Sequence, residues 1–286
     1  MKLAIGTAQF GMKYGVANTN GQTTPVEAKN ILESARKGGL DTLDTAAAYG
    51  QSEAILGALG VTDWCVVSKI PPLPDAHHDG EAWVRNNLQQ SLTRLQVTQL
   101  DGVLLHHAAD VLGENGGGVC RGLRAAKEAG WVKKIGYSIY SPDLLPQLVA
   151  QLVPDMVQAP LNVLDQRLVT SGWLERLVEK EVEVHVRSIF LQGLLLMKPA
   201  NRPAYFSAWA SCLARWDRMA GELGGAVAAC LGYAKSLQHI SRVIVGVETA
   251  EHLQQLLDVW ADAPMGDYRQ LCSDDLQLID PCRWRL

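Results

Sequence analysis

No stretch of this chain approaches the roughly 20 consecutive apolar residues needed to span a bilayer, so no transmembrane helix is expected. The amino-terminal run Met1-Lys2-Leu3-Ala4-Ile5-Gly6 turns polar too soon to form the apolar core of a secretory signal. None of the six cysteines forms a Cys-x-x-Cys pair, and no histidine spacing reads as a zinc site, so no metal is expected. Scattered cysteines in a chain of this size read as the reduced thiols of a cytoplasmic protein. Adjacent basic residues come only in pairs such as Lys133-Lys134, and the net charge is −4. That balance gives no broad attraction for nucleic acid or an anionic membrane surface. There is no Walker A motif, internal repeat, low-complexity stretch or linker. The Gly-x-Gly-x-x-Gly turn of a doubly wound nucleotide-binding sheet is also missing. In its place stands Gly6-Thr7-Ala8-Gln9-Phe10-Gly11, whose spacing is wrong for that turn.

What remains is regular alternation. Short apolar runs at Leu3–Thr7, Thr42–Asp44, Trp64–Ser68, Gly102–Leu105, Lys134–Tyr137, Met156–Gln158, Val182–Arg187 and Arg242–Val245 read as buried parallel strands. Between them lie helical stretches at Pro25–Lys37, Ser52–Ala58, Gly80–Leu95, Gly118–Ala129, Pro142–Gln151, Gly172–Glu179, Ala204–Leu223 (whole or broken) and Ala250–Trp260. Thr24-Pro25 and Ser141-Pro142 have the form of helix starts, Ser52 reads as a cap, and Gly38-Gly39, Gly60 and Gly130 stand where helices should stop. Gly116-Gly117-Gly118 reads as a flexible loop. Strands and helices alternating eight times over 286 residues predict one α/β domain, residues 1–286, closed into a (β/α)8 TIM barrel.

Chemistry concentrates at strand ends. Asp44 ends the second strand and Tyr49 follows in the loop, while Lys69 and His106 close the third and fourth. Barrel enzymes place their chemistry at this end of the strands, so all four should converge on one rim. Reducing a carbonyl requires a proton donor beside the oxygen. A tyrosine can serve if a nearby ammonium lowers its pKa, a carboxylate holds that ammonium, and a histidine orients the carbonyl. His107 reads as structural and His77-His78 as solvent-exposed. Tyr14, His106, the loop after Phe190 and Trp209 or Trp216 are expected to shape the substrate mouth.

The blocks Asp44-Thr45-Ala46-x-x-Tyr49-Gly50-x-Ser52-Glu53, Ser68-Lys69 and Asp101-x-x-Leu104-Leu105-His106 resemble, in order and spacing, those of the aldo-keto reductase family. Gly6-Thr7-x-x-x-Gly11, Ile135-Gly136-x-Ser138, Gln158-x-x-x-Asn162 and Gly193-x-Leu195 extend the resemblance over most of the chain. It implies a nicotinamide cofactor, NADPH or NADH, extended across the rim of the barrel. It further implies catalytic Asp44, Tyr49, Lys69 and His106, and a small carbonyl or sugar substrate. Gly6, Thr7, Ser138, Gln158 and Arg187 would contact the cofactor, with Ser138 and Gln158 on the nicotinamide carboxamide and the Arg187 guanidinium stacked on the ring. Ser188, Phe190 and Gln192 would follow its pyrophosphate, and Gly246, Glu248 and Gln255 its adenosine end.

Three positions depart from the family pattern. Ile139 stands where an asparagine is common, and Arg187 where an aromatic residue stacks on the nicotinamide. Glu248-Thr249 stand where relatives that prefer NADPH grip its 2′-phosphate, so NADH use is expected. Ile139 and Arg187 keep open a second reading, a cofactor-binding redox-sensing regulatory protein with little turnover. The oligomeric state stays open.

Overall fold

A computed structural model describes residues 1–18, 20–74 and 79–286 of the chain. Its eight strands are β1 (Lys2–Gly6), β2 (Thr42–Asp44), β3 (Cys65–Ile70), β4 (Leu100–Leu105), β5 (Val132–Ser138), β6 (Met156–Pro160), β7 (Glu183–Arg187) and β8 (Arg242–Gly246). They pair in sequence order, all parallel, and β8 returns to β1 to close the barrel. The expected (β/α)8 TIM barrel is therefore the observed fold.

Parallel strands covered on both faces must be apolar almost throughout. The main core lies between the strands and the surrounding helices, around Ile5, Leu43, Val66, Val103, Val157 and Val184. A second small cluster, Val67, Leu104 and Met156, is formed by residues of β3, β4 and β6. Side chains alternate across a strand, so residues two positions further along share that face at the carboxyl ends. Lys69 follows Val67 in this way, His106 follows Leu104 and Gln158 follows Met156.

Side-chain caps set several helix starts. The Thr24 hydroxyl accepts from the Glu27 N–H at 3.2 Å, opening Pro25–Lys37, and the Asp79 carboxylate accepts from the Ala82 N–H at 2.9 Å, opening Gly80–Leu95. Glycines let three of the helices approach closely. A Cβ on Gly57 would lie 2.1 Å from the Arg94 carbonyl oxygen, and one on Gly122 would lie 3.1 Å from that of Glu81.

Several expectations are corrected. Gly116-Gly117-Gly118 is no loop: it forms the first turn of the helix Gly116–Glu128, and a Cβ on Gly116 would meet the Val111 carbonyl oxygen at 2.0 Å. The stretch Pro142–Gln151 divides into a 3₁₀ turn, Pro142–Leu144, and a short helix, Leu145–Gln151, because Pro146 lacks the N–H a continuous helix needs. The break allowed for in Ala204–Leu223 is present and separates 3₁₀ Ala204–Trp209 from α-helical Ala210–Glu222. Ser52 caps nothing: it is the first helical residue, and its hydroxyl donates to Thr7 instead. A helix at Ala226–Ser236 was not expected, because Ala228 through Ala234 are buried on every side and show no amphipathic period.

His77-His78 lie outside the described residues. Among the described residues no helix is long and apolar enough to cross a membrane, and no group of three or more His, Cys, Asp or Glu could hold a metal ion.

Candidate active site

Two backbone segments set the geometry at the carboxyl end of the barrel. The loop after β2 folds back on itself, with the Tyr49 N–H bonded to the Ala46 carbonyl at 3.0 Å and the Ala47 N–H to the Lys69 carbonyl at 3.1 Å. Gly11 and Gly50 then touch through bare backbone. A Cβ on Gly11 would fall 1.6 Å from the Tyr49 carbonyl oxygen, and one on Gly50, whose φ is +55°, would fall 2.3 Å from that of Gly11. Only glycine fits either place, and the clasp fixes where Tyr49 stands. Thr7, fully buried, donates its hydroxyl to the Asp44 carbonyl at 2.9 Å and so ties β1 to the same loop.

The structure brings Asp44, Tyr49, Lys69 and His106 together. The Lys69 ammonium is completely buried and donates to Asp44 Oδ2 at 2.7 Å, to the Thr45 carbonyl at 2.9 Å and to the Tyr49 hydroxyl at 3.4 Å. Its Nζ lies 4.9 Å from the centre of the Tyr49 ring. Asp44 Oδ1 accepts from Gln158 Nε2 at 2.6 Å, so both carboxylate oxygens are occupied. The imidazole of His106 meets the Tyr49 ring edge-on, with centres 5.8 Å apart.

Burial dominates the electrostatics. It pushes the Tyr49 phenol well above its ordinary value, reinforced by the charge of Asp44 and opposed by that of Arg187. The expectation that a neighbouring ammonium lowers this pKa is therefore not met: desolvation outweighs it, and the cation that opposes the rise is Arg187. Burial also pulls the Lys69 ammonium down, against the pull of Asp44. His106 is lowered to about 4, first by burial and then by the charges of Lys69 and Arg187, so its ring is neutral at pH 7.

A cleft with a cavity of about 160 Å³ opens from Asp44 and Tyr49 across Gly6, Thr7 and Gly246 to Arg187, Ser188, Phe190 and Gln192, with Tyr14 at its side. Gly6 and Gly246 face each other in register at the ends of β1 and β8, so this part of the wall is bare backbone. A Cβ on Gly246 would meet the Gln9 side chain at 2.6 Å. The loop after β7 holds Ser188, Leu191 and Gln192 at φ of +63°, +47° and +52°, conformations that side-chain-bearing residues rarely adopt. It is held there by Asn162 Nδ2 bonded to the Ser188 carbonyl at 3.2 Å and by the Val16 N–H bonded to the Gln192 carbonyl at 3.0 Å. Buried beneath, Ser138 Oγ and Gln158 Oε1 have no hydrogen-bond partner among the described residues. A buried hydroxyl and amide oxygen left this way fit a ligand carboxamide, which offers both a donor and an acceptor.

Other expected residues stand elsewhere. Glu248 accepts from Asn20 Nδ2 at 2.8 Å, and Gln255 is exposed on the helix Ala250–Ala261; neither lines the cavity. Trp216 is core, its indole N–H bonded to the Leu195 carbonyl, and Trp209 bonds to Asp275; neither shapes the mouth. His107 is exposed and bonds to Asp110 at 2.6 Å. Sequence reasoning missed Gln9, Tyr140 and Cys282. Tyr140 and Cys282 hydrogen-bond each other and lie within electrostatic reach of Arg187. Gln9 stands inside the Gly6–Gly11 motif, which carried the signal of its place. Cys282 comes from the far end of the chain and carried none.

With this geometry in place, similarity to known proteins becomes informative. The model of the aldo/keto reductase family matches residues 2–269. An aldo-keto reductase of Mycolicibacterium paratuberculosis is 29% identical over 155 residues, covering 52% of this chain and 51% of its own. The matched segment thus spans about half the length of that curated relative. Among solved structures, the holo form of an aldo-keto reductase from Bacillus halodurans superposes with a TM-score of 0.77 at 18% identity, covering 99% of this chain and 95% of its own. A Pseudomonas aeruginosa structure assigned to the same family superposes with a TM-score of 0.68 at 22% identity, covering 91% and 90%.

Proposed function

The chain belongs to the aldo/keto reductase family, and on that premise we propose that it is a nicotinamide-dependent oxidoreductase interconverting a small aldehyde, ketone or sugar with its alcohol. The observation that carries this reading is the buried Lys69–Asp44 pair beneath the Tyr49 hydroxyl, at the wall of a cleft that also exposes Gly6, Ser188 and Gly246.

When bound, the reduced cofactor supplies the hydride. Ser138 and Gln158 would hold its carboxamide, and Gly6, Thr7, Ser188, Phe190, Gln192 and Gly246 would line its path. The residues of the chain handle the proton. Burial keeps the Tyr49 phenol protonated at neutral pH, so it is in the right form to give its proton to the carbonyl oxygen. The ammonium 3.4 Å from that hydroxyl offsets the negative charge left on the phenolate. Asp44 and the Thr45 carbonyl hold the ammonium in place. Neutral His106 presents one ring N–H that can orient the same carbonyl oxygen.

Glu248 bears on the choice of cofactor. Its carboxylate would repel a 2′-phosphate, and swinging away from Asn20 would let it accept from a free 2′-hydroxyl. NADH is therefore expected to bind at least as tightly as NADPH.

The test is Tyr49→Phe, with wild type and variant followed by cofactor oxidation over a panel of aldehydes and sugars, and binding of each cofactor followed by fluorescence titration. Turnover should fall by about 10²–10⁴-fold, while cofactor affinity stays within about threefold, since the hydroxyl acts on the substrate. Normal turnover in the variant would remove Tyr49 from its role. A much tighter grip on NADPH than on NADH would remove Glu248 from its own.

A further inference from the structure

Five arginines are half-buried in this protein: Arg94, Arg167, Arg187, Arg202 and Arg242. Four of them face a carboxylate, respectively Glu53, Asp165, Asp217 and Asp41. Arg187 alone among them has no carboxylate partner among the described residues. Its guanidinium donates from Nη2 to the Ile139 carbonyl at 3.1 Å and from Nη1 to the Ser188 hydroxyl at 3.3 Å, and it stacks 4.6 Å over the ring of Tyr140. All three partners are neutral. Two of five N–H bonds are used, and the guanidinium group does not lose its charge in proteins.

Its position gives the missing partner a meaning. Arg187 ends β7 and lines the same cavity as Tyr49, Asp44 and Tyr14. Both oxygens of Asp44 are already taken by Lys69 and Gln158, and among the described residues no other acid lines that cavity. His106 is neutral at pH 7. The Lys69–Asp44 pair sums to zero, so the site carries one uncompensated positive charge. Such a charge, partly withdrawn from water, is costly unless a ligand neutralises it.

We propose that Arg187, supported by Tyr140 and Ser188, is the subsite for an anionic group on the substrate, so that the physiological substrate is a small carbonyl compound bearing a carboxylate or phosphate. This rests on the reading of Tyr49 as the proton donor: the guanidinium and the phenol grip two ends of one molecule. It also accounts for an arginine where the resemblance leads one to expect an aromatic residue. A planar guanidinium held against the Tyr140 ring still has three of its in-plane N–H bonds to offer to two carboxylate oxygens. The cofactor pyrophosphate is the competing source of negative charge. The substrate is favoured because Arg187 shares its cavity with the Tyr49 phenol and with Tyr14.

The test compares butanal with 4-oxobutanoate, the same aldehyde carrying a terminal carboxylate, in wild type, Arg187→Gln and Arg187→Lys. Wild type should prefer the carboxylate substrate by about 10–100-fold in kcat/KM, the range of a charge-assisted hydrogen-bonded pair. In Arg187→Gln that preference should collapse toward unity, mainly through KM, and Arg187→Lys should restore part of it. Calorimetry on the cofactor-loaded protein gives a readout without turnover: succinate should bind wild type and lose at least about tenfold in Arg187→Gln, while neutral succinamide should bind neither. Two outcomes overturn the proposal. One is a carboxylate preference, or a succinate affinity, that is absent in wild type or unchanged in Arg187→Gln. The other is a loss of cofactor affinity in Arg187→Gln with carboxylate preference retained, which would assign the guanidinium to the pyrophosphate. If wild type reduces neither aldehyde, the reductase reading fails, and succinate calorimetry still decides the anion subsite.

Discussion

Replacing Lys69 by methionine keeps most of the side-chain volume and removes the charge and three N–H donors. Asp44, 4% exposed, would keep Gln158 Nε2 on Oδ1 and lose the partner 2.7 Å from Oδ2. A buried ion pair broken from one side leaves an uncompensated charge, and the typical penalty is about 3–5 kcal/mol. At about 1.4 kcal/mol per power of ten, the unfolding equilibrium shifts by roughly two to three and a half powers of ten. With a urea slope of about 3 kcal/mol/M, the midpoint should fall by about 1–2 M. The pH dependence identifies the cause. In the variant, a proton on the buried Asp44 carboxyl removes the uncompensated charge. The penalty is then present at neutral pH and fades as acidification supplies that proton. Urea titrations of wild type, Lys69→Met, Asp44→Asn and the double variant at pH 7 and pH 4.5 measure this. The double variant should be less destabilised than the sum of the single ones. A loss below about 1 kcal/mol at pH 7, a loss that does not shrink at pH 4.5, or strict additivity would refute the reasoning.

One titration and two glycine variants probe the same balance of burial and close packing. The His106 ring should titrate near pH 4 rather than near 6.5, as read from its NMR shifts, because burial and the charges of Lys69 and Arg187 disfavour the imidazolium. Its folded pKa is depressed, so the associated stability is present above 6.5 and is lost as pH falls from 6.5 to about 4; an ordinary midpoint near 6.5 would contradict this. Gly57→Ala forces a Cβ to within 2.1 Å of the Arg94 carbonyl oxygen and should cost about 1–3 kcal/mol or more. Gly221→Ala, with nothing within 4 Å in the helix Ala210–Glu222, should stabilise by about 0.5–1 kcal/mol. Urea titrations that move both variants in the same direction would show that close backbone approach is not what holds glycine at position 57.

Legibility varied along the chain for physical reasons. Asp44 and the β2 strand were readable because a short apolar run ending in a carboxylate suits a buried strand that emerges at a polar rim. The helix Pro25–Lys37 was readable because Thr24 and Pro25 mark its start chemically. Ala226–Ser236 was not, since a helix covered on all sides loses the period that reveals one. The triple glycine at 116–118 was misread because glycine signals flexibility in isolation, and only the neighbouring Val111 carbonyl shows why a side chain is excluded there.

The sequence by itself determined the barrel, because eight apolar runs alternating with amphipathic stretches admit few other closed arrangements. It also determined which residue types stand at the strand ends. The tertiary structure alone decided how their charges balance. Solvent exclusion raises the Tyr49 phenol where proximity to an ammonium suggested the opposite, and Asp44 is consumed by Lys69 and Gln158, leaving Arg187 without a counter-ion among the described residues. Protonation and pairing depend on distance and on the surrounding water, and residues 20 to more than 100 positions apart in a chain carry no record of either.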